Sequence, residues 1–258
     1  MRELAPEAFA ALAQVEAIAL ATGDPVARTA VAAVLSGGPE GDGPGYAFAQ
    51  QIALDVASVT DEQRAEALQA LGRHAFAFVQ SVYVADLGTR VRLALEQLFG
   101  EQPPPAAPAE GELWPAIEEL MRCIARLSAL DPVTTELVRL RGARAHDCRL
   151  CRSLRDTRAL EAGGTEALYD AIDDYESSDL PERQKAALRI VDAMVWTPTA
   201  VPRTEHLTDA EVVEVVLDVM RNAGNKVAVA LGADAARVTD GVELYTVDAT
   251  GEPVYGLS

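Results

Sequence analysis

The protein has 258 residues, of which 49% are apolar, and it carries a formal net charge of −18 at pH 7. The apolar fraction excludes a disordered chain, and the length allows one large domain or two small ones. The strong negative charge repels nucleic acid and anionic membrane surfaces, so we expect neither as a partner. No apolar run is long enough to span a bilayer and the first residues show no signal-peptide pattern, so we expect a cytoplasmic protein.

Helical periodicity dominates the first half of the chain. We predict helices over Pro6–Ala21, Asp24–Leu35, Tyr46–Ser58 and Asp61–Phe99, the last with a break near Gly72. The segment EQPPPAAPAE that follows cannot continue a helix, because proline lacks the backbone N–H, and it favours an extended spacer. The sequence therefore predicts a helical half without cysteine at 1–100, a Pro/Ala linker at 101–111 and a second helical domain at 112–258.

The second half is also predicted to be helical. Its expected helices are Glu112–Leu130, Asp131–Ala145, Asp147–Ala162, Thr165–Tyr175, Pro181–Val195 and Asp209–Leu231. In the third of these, Asp147 is the expected N-cap, which places Cys148 and Cys151 in the first turn. The tail VELYTVDATGEPVYGL alternates apolar and polar residues, which fits either a short hairpin or a plain extended tail. The predicted fold class is all-α with this short C-terminal extension.

Two segments of the chain resemble each other. GTRVRLAL in the first half aligns with GNKVAVAL in the second, and each follows a helix that begins with a capping box. Either a diverged duplication or the chance similarity of short apolar helices explains the match. In both cases the first half lacks cysteine, so we expect the chemistry in the second.

The stretch AHDCRLCRSLRD holds two of the three cysteines, spaced C-x-x-C. A structural zinc needs four ligands, usually from two such pairs, and only one pair is present, so we expect no metal. Reducing conditions in the cytoplasm argue against a purely structural disulfide. At a helix N-terminus, the positive end of the macrodipole lowers a thiol pKa, which favours redox chemistry.

Seven arginines lie close to the cysteines in sequence: Arg139, Arg141, Arg144, Arg149, Arg152, Arg155 and Arg158. Most are expected to pair with Asp or Glu on a solvated surface. One or two directed at the sulfurs would favour the thiolate and draw in a polarised substrate. Cys123 falls on the apolar face of its helix and is expected to be a buried core residue.

The segment from Glu136 through Cys148 and Cys151 resembles the E-x(11)-C-x-x-C segment of the carboxymuconolactone decarboxylase / alkylhydroperoxidase D (AhpD-like) superfamily. LTDAEVVEVVLDVMRNAGNKVAVALGAD is similar to the last helix of that family. The resemblance covers roughly residues 115–234. It implies an AhpD-like all-helical bundle, a homo-oligomer and no bound cofactor. It also implies that Cys148 and Cys151 are the reactive pair and that Glu136 relays protons to them.

The chain departs from the family at one position. Where the family usually has a histidine four residues after the second cysteine, this sequence has Arg155, which can lower a thiol pKa by its charge but cannot act as a general base. His146 either replaces that histidine from the other side or merely caps the helix start. The family assigns peroxide attack to the second cysteine, whereas the helix terminus alone would make Cys148 the more exposed and more acidic one.

We therefore predict an enzyme, a thiol-dependent peroxidase or disulfide reductase with an antioxidant role. Its partners would be a peroxide or disulfide substrate and an external dithiol reductant, and its assembly a dimer or trimer. The candidate catalytic residues are Cys148, Cys151, Glu136, Arg155 and His146. The alternatives are a carboxymuconolactone decarboxylase-like enzyme that uses Glu136 without thiol chemistry, and a non-catalytic helical oligomerisation module.

Overall fold

The computed structural model describes residues 1–257 and is predominantly helical, as the periodicity predicts. The first half forms α1 (Pro6–Thr22), α2 (Pro25–Ser36), α3 (Pro44–Asp55), α4 (Asp61–Leu71) and α5 (Ala75–Phe99). The second half forms α6 (Leu113–Ala125), α7 (Pro132–Ala145), α8 (Arg149–Arg152), α9 (Thr157–Glu161), α10 (Glu166–Asp170), α11 (Glu182–Trp196), α12 (Asp209–Asn222) and α13 (Asn225–Ala230). Three strands complete the fold: β1 (Leu154–Asp156), β2 (Glu243–Val247) and β3 (Pro253–Leu257).

The helix starts agree with the capping signals in the sequence. Asp24 and Asp131 each accept backbone N–H bonds as N-caps ahead of a proline. Thr60 and Thr208 each complete a capping box with the residue three positions later. These contacts satisfy donors that would otherwise be unpaired in the first turn, which fixes where each helix begins.

The predicted helix over 147–162 is wrong. The chain makes only the short α8, then the three-residue strand β1, then α9. β1 pairs in parallel with β2, and the N–H of Glu243 donates to the carbonyl of Ser153 at 2.8 Å. A strand brought from some ninety residues away thus takes the backbone groups that a continuous helix would have used.

Three other predicted helices are shorter than expected. The one over Glu112–Leu130 ends at Ala125. The one over Asp209–Leu231 divides into α12 and α13 at Gly224, where a side chain would run into Met121 of α6 and the carbonyl of Arg221. The one over Thr165–Tyr175 ends at Asp170 and continues as a short 3₁₀ turn. The tail forms the hairpin, with β2 and β3 antiparallel, and so it is not a plain extended segment.

The largest hydrophobic core contains residues of both halves. α1 packs on α6, and α5 packs on α12, where the hydroxyl of Tyr83 donates to the carbonyl of Met220 at 2.9 Å. The segment 101–111 forms neither helix nor strand, and Ala109 N–H donates to the carbonyl of Ala17 at 3.0 Å. The two halves share one hydrophobic core. The domain boundary at 101–111 remains a prediction.

Within residues 1–257, no single helix has the length and hydropathy to cross a membrane. α1 and α2 pass that test only when taken together, and the chain bends by 119° between them.

Candidate functional site

Cys148 and Cys151 are joined by a disulfide at the start of α8, with their Cα atoms 5.3 Å apart. That separation lies within the usual range for disulfides. Cys148 is the N-cap of α8 and is completely buried, whereas Cys151 is partly exposed. The N–H of Cys151 points at the Cys148 sulfur from 3.2 Å. The expectation that Cys148 is the more exposed sulfur is therefore wrong, because the N-cap position faces the core.

The turn before the pair differs from the predicted one. Asp147 is not the N-cap; it adopts a left-handed conformation with φ of 48°, which Asp tolerates better than most residues. This turn carries the chain from α7 into α8, and the N–H of Cys148 donates to the carbonyl of Ala143 at 3.0 Å. Asp234, which follows α13, accepts the N–H of Arg149 at 3.0 Å and so holds the first residue of α8 in place.

Glu136 lies in α7 and is 1% exposed. Both of its carboxylate oxygens accept from the guanidinium of Arg139 at 2.6 Å. Arg139 also donates to the carbonyls of Cys151 at 2.7 Å and Leu154 at 2.8 Å, and it lies over the Tyr245 ring. The carboxylate of Glu136 raises the pKa of Arg139, so the cation is permanent. Glu136 thus reaches the cysteine segment through Arg139 and the backbone of Cys151.

Arg155 lies in β1 and is buried. Its guanidinium binds both oxygens of Glu166, at 2.8 and 2.7 Å, and stacks over the Tyr169 ring at 5.4 Å. It also donates to the carbonyls of Arg152 and Leu154 at 2.8 Å. These contacts use the guanidinium to hold the backbone that follows the cysteine pair.

His146 is the C-cap of α7 and is buried, and its Nδ1 lies 2.8 Å from the side-chain oxygen of Asn225. Burial, together with the positive charge of Lys226, lowers the pKa of His146 to about 3. The ring is therefore neutral at neutral pH. His146 caps the C-terminal end of α7. The sequence had suggested instead that it caps the start of the helix that carries the cysteines.

All seven arginines around the cysteines pair with a carboxylate. Their partners are Glu136, Asp192, Asp173, Asp234, Asp147, Glu166 and Asp156, in chain order of the arginines. The predicted ion pairs are thus present for the whole group. These carboxylates neutralise much of the positive charge of the arginines. The ion pairs also connect α7, α8, β1 and α9 to neighbouring segments.

Sequence reasoning missed a buried ionic network between the two halves. Asp86 of α5 is completely buried and accepts from Arg90 at 2.5 Å and from Lys226 of α13 at 2.6 Å. The two cations hold the pKa of Asp86 below its usual value. Arg90 and Lys226 occupy matching positions in the two similar segments GTRVRLAL and GNKVAVAL. That match was the one feature of the sequence that could have indicated this ionic network.

The geometry around the pair allows thiol–disulfide exchange. Cys151, a partly exposed residue, is bonded to the buried Cys148, and such a bond can open to a dithiol and close again. Across the 257 residues described, no group of three or more His, Cys, Asp or Glu side chains is arranged to hold a metal ion.

Fold and site together define a predominantly helical protein with a small three-stranded sheet and a C-x-x-C disulfide at a helix start. No family model matches the chain, and no solved structure matches it. The chain is 45% identical over 224 residues to the uncharacterized protein MT2376 of Mycobacterium tuberculosis strain CDC 1551 / Oshkosh, a match covering 81% of this chain and 79% of that protein. The same values relate it to the uncharacterized protein Rv2313c of Mycobacterium tuberculosis strain ATCC 25618 / H37Rv. The chain belongs to the family of these mycobacterial proteins.

Proposed function

We propose that the protein is a thiol-dependent oxidoreductase in which Cys148 and Cys151 cycle between dithiol and disulfide. The observation that carries this proposal is the pairing of a buried Cys148 with a partly exposed Cys151 in bonding contact. The resemblance of the Glu136-to-Cys151 segment to the AhpD-like superfamily adds support, and we propose an AhpD-like arrangement of helices on the same ground.

The difference in exposure supports an order of events. A substrate from solvent meets Cys151 first, since Cys148 is closed off by the core. With a peroxide, the Cys151 thiolate forms a sulfur–oxygen bond as the oxygen–oxygen bond breaks, and a sulfenic acid remains. The alkoxide or hydroxide that leaves takes up from solvent the proton that the Cys151 thiol had released, and becomes the alcohol or water. The Cys148 thiol then attacks that sulfur; the disulfide forms, and hydroxide leaves as water with the thiol proton.

An external dithiol closes the cycle. One of its thiolates attacks the disulfide to give a mixed disulfide, and its second thiol releases the protein as the dithiol, so that two electrons and two protons are transferred. A disulfide substrate would use the same two sulfurs through a mixed disulfide at Cys151. No general base is required when the attacking group is already a thiolate, which suits a chain with Arg155 at the family's histidine position.

The ion pair between Glu136 and Arg139 favours thiol chemistry over the lactone decarboxylase alternative. Both oxygens of Glu136 are bonded to a guanidinium in a buried place. A carboxylate held in this way is not free to approach a substrate carbon, because both of its oxygens are already bonded to Arg139.

The proposal is tested by counting the free thiols per chain before and after treatment with an oxidant. Reduced wild-type protein has three cysteines, and we expect one equivalent of hydroperoxide to remove two thiols per chain with formation of the Cys148–Cys151 disulfide, located by mass spectrometry of peptides. The Cys148→Ser variant should accumulate a sulfenic acid that dimedone traps at Cys151. The Cys151→Ser variant should react at least about 100-fold more slowly, which corresponds to about 3 kcal/mol in activation free energy.

The Cys123→Ser variant is the matched control, since Cys123 is buried in α6 and bonds to Glu119 and Arg126. It should react like the wild type. Wild-type protein that keeps all three thiols with both hydroperoxide and a small disulfide would refute the proposal.

We also propose a homo-oligomer, a dimer or trimer. The resemblance to the AhpD-like superfamily, whose members are oligomeric, supports this assembly. Leu54 and Trp196, which are 54% and 49% exposed, also line one pocket at the surface. A light-scattering mass equal to one chain would contradict this assembly.

A further inference from the structure

A cavity lies away from the cysteines, between α6, α7, β1, α9 and α12. Its volume is about 90 Å³, several times what one water molecule needs. Its apolar wall comes from the end of α6 and the turn after it, and its polar lining consists of Asp156, Arg158, Glu214, Asp218 and Arg221. Neither Cys148 nor Cys151 is among the described residues that line it.

Asp218 is the unusual member of this lining. It lies in α12 and is 2% exposed, and its Oδ2 has no hydrogen-bond partner among residues 1–257. Its Oδ1 is 3.9 Å from the guanidinium of Arg221, beyond hydrogen-bond distance. Burial raises the pKa of Asp218 to about 7. An unpartnered carboxylate in such a place costs folding free energy, which a ligand that donates a hydrogen bond would recover.

The charges around Asp218 decide which kind of ligand fits. Arg158 is committed to Asp156, with bonds of 2.6 to 3.2 Å to both carboxylate oxygens. Glu214 accepts the N–H groups of Ala129 and Leu130 through one oxygen, and burial raises its pKa as well.

Two carboxylates, Glu214 and Asp218, therefore share the cavity with one uncommitted guanidinium, that of Arg221. When Asp218 is ionised the balance is negative, so a cation is attracted and an anion repelled.

We propose that this cavity binds a small primary ammonium compound, with the ammonium group donating to Asp218 Oδ2 and a short alkyl part against the apolar wall formed by Ile124, Leu127 and Leu130. The site goes beyond the thiol chemistry and does not depend on it. A ligand that also carries a carboxylate, such as a small amino acid, would place that group near Arg221.

Binding is linked to the proton on Asp218. The groups that face Asp218 are Glu214 and Arg221 on α12, Arg158 on α9 and Asp156 on β1. Below the pKa of Asp218 the carboxyl group is neutral and must release its proton before it pairs with the ammonium ion. Above that pKa the carboxylate is already charged, and no proton is released.

The test is calorimetric titration of the full chain with ethylammonium chloride at constant ionic strength. We expect a Kd on the order of 1 mM above the pKa of Asp218, an affinity near the upper limit for a ligand of three non-hydrogen atoms. The Asp218→Asn variant should bind at least about tenfold more weakly, equivalent to about 1.4 kcal/mol. Titration in buffers of different ionisation enthalpy should show proton release below the pKa of Asp218 and none above it.

Three controls separate the outcomes. The Asp209→Asn variant, changed at an exposed residue of the same helix, should bind like the wild type. Alanine, used in place of ethylammonium, should bind the wild type and lose affinity in the Arg221→Gln variant, which should still bind ethylammonium. Sodium acetate should give no binding.

The proposal fails if ethylammonium gives no saturable heat up to about 50 mM, if acetate binds instead, or if Asp218→Asn leaves the affinity unchanged. None of these outcomes depends on the cysteines, so failure here leaves the thiol proposal intact.

Discussion

Arg139 connects the carboxylate of Glu136 to the backbone on both sides of the turn after the cysteine pair. It bonds to both oxygens of Glu136 and to the carbonyls of Cys151 and Leu154. A buried guanidinium without its counter-ion is costly, because the charge remains in a poorly solvated place. Glu136 therefore holds the cysteine segment in position by keeping Arg139 charged and in place.

The Glu136→Gln change should lower the free energy of unfolding by about 3 kcal/mol, since it leaves Arg139 buried without a carboxylate. Urea unfolding followed by circular dichroism measures the loss. The matched control is Glu182→Gln, which alters an exposed pair with Arg189 and should change stability by less than about 0.5 kcal/mol. Equal stabilities for the two variants would show that Glu136 does not carry this structural role.

His146 should make the free energy of unfolding depend on pH. Its pKa falls from 6.5 to about 3 on folding, so the unfolded chain binds a proton between these values while the folded one does not. The contribution of His146 is complete above about pH 6.5 and is lost as the pH falls through that window. We expect wild type, compared with His146→Gln, to lose about 3 kcal/mol between pH 7 and pH 4.5.

Urea unfolding of both proteins at the two pH values measures this difference. The His206→Gln variant is the matched control, because His206 is exposed and should leave the pH profile unchanged. Parallel profiles for wild type and His146→Gln would disprove the prediction.

The sequence predicted that Cys148 and Cys151 can form a disulfide, because the C-x-x-C spacing brings two cysteines of one short segment together. It did not predict the contacts of Asp86 or Asp218, since each depends on residues that are distant along the chain or on the shape of a cavity. A partial signal existed in EVVEVVLDVM, where Asp218 interrupts a strongly apolar run. A carboxylate at such a position must find a partner, accept a proton or face a cavity.

Most helices were predictable, because capping residues and 3.6-residue periodicity are local signals. β1 was not, since its three residues are all buried and give no alternating pattern. It exists because β2 binds its backbone, and that partner lies far along the chain. At Gly224, where the predicted helix divides, a side chain would meet Met121 of α6, and no local pattern reveals that contact.

The hairpin turn rests on Gly251, which has φ of +91° and lies against the carbonyl of Arg122 in α6. A side chain there would meet that carbonyl and would also disfavour the backbone conformation. We expect Gly251→Ala to lower stability by about 1 to 3 kcal/mol and to loosen the hairpin from α6. Hydrogen exchange of the β2 amides measures the loosening.

Gly256 offers the matched control for this change. It also has positive φ, 73°, but its missing side chain would meet open space. Gly256→Ala should carry the conformational cost alone and leave the contact with α6 unchanged. Equal exchange in the two variants would contradict a role for the Arg122 contact.

The two halves of the chain behave as one unit because they share a core and a charge network. Arg90 donates to the carbonyl of Ala53 at the end of α3 and to those of Met194 and Val195 at the end of α11. It thereby caps helices of both halves while bonded to Asp86. Such a connection predicts cooperative unfolding of the whole molecule.

The Asp86→Asn change should lower the free energy of unfolding by about 3 to 5 kcal/mol, since it leaves two buried cations without a counter-ion. Unfolding should remain a single transition by circular dichroism and by tryptophan fluorescence. Asp61→Asn is the control, because the side chain of Asp61 is fully exposed in its pair with Arg64. Two separated transitions in the wild type would contradict a shared core.

The network of Asp86, Arg90 and Lys226 also limits how members of this family can diverge. Loss of the carboxylate leaves two cations unpaired in the core, and loss of either cation removes one of the two bonds that hold Asp86. A lineage cannot easily pass through such an intermediate one substitution at a time. Relatives that keep this fold should therefore either retain the three residues together or have replaced all three with apolar side chains of similar volume, so these positions should covary as a set.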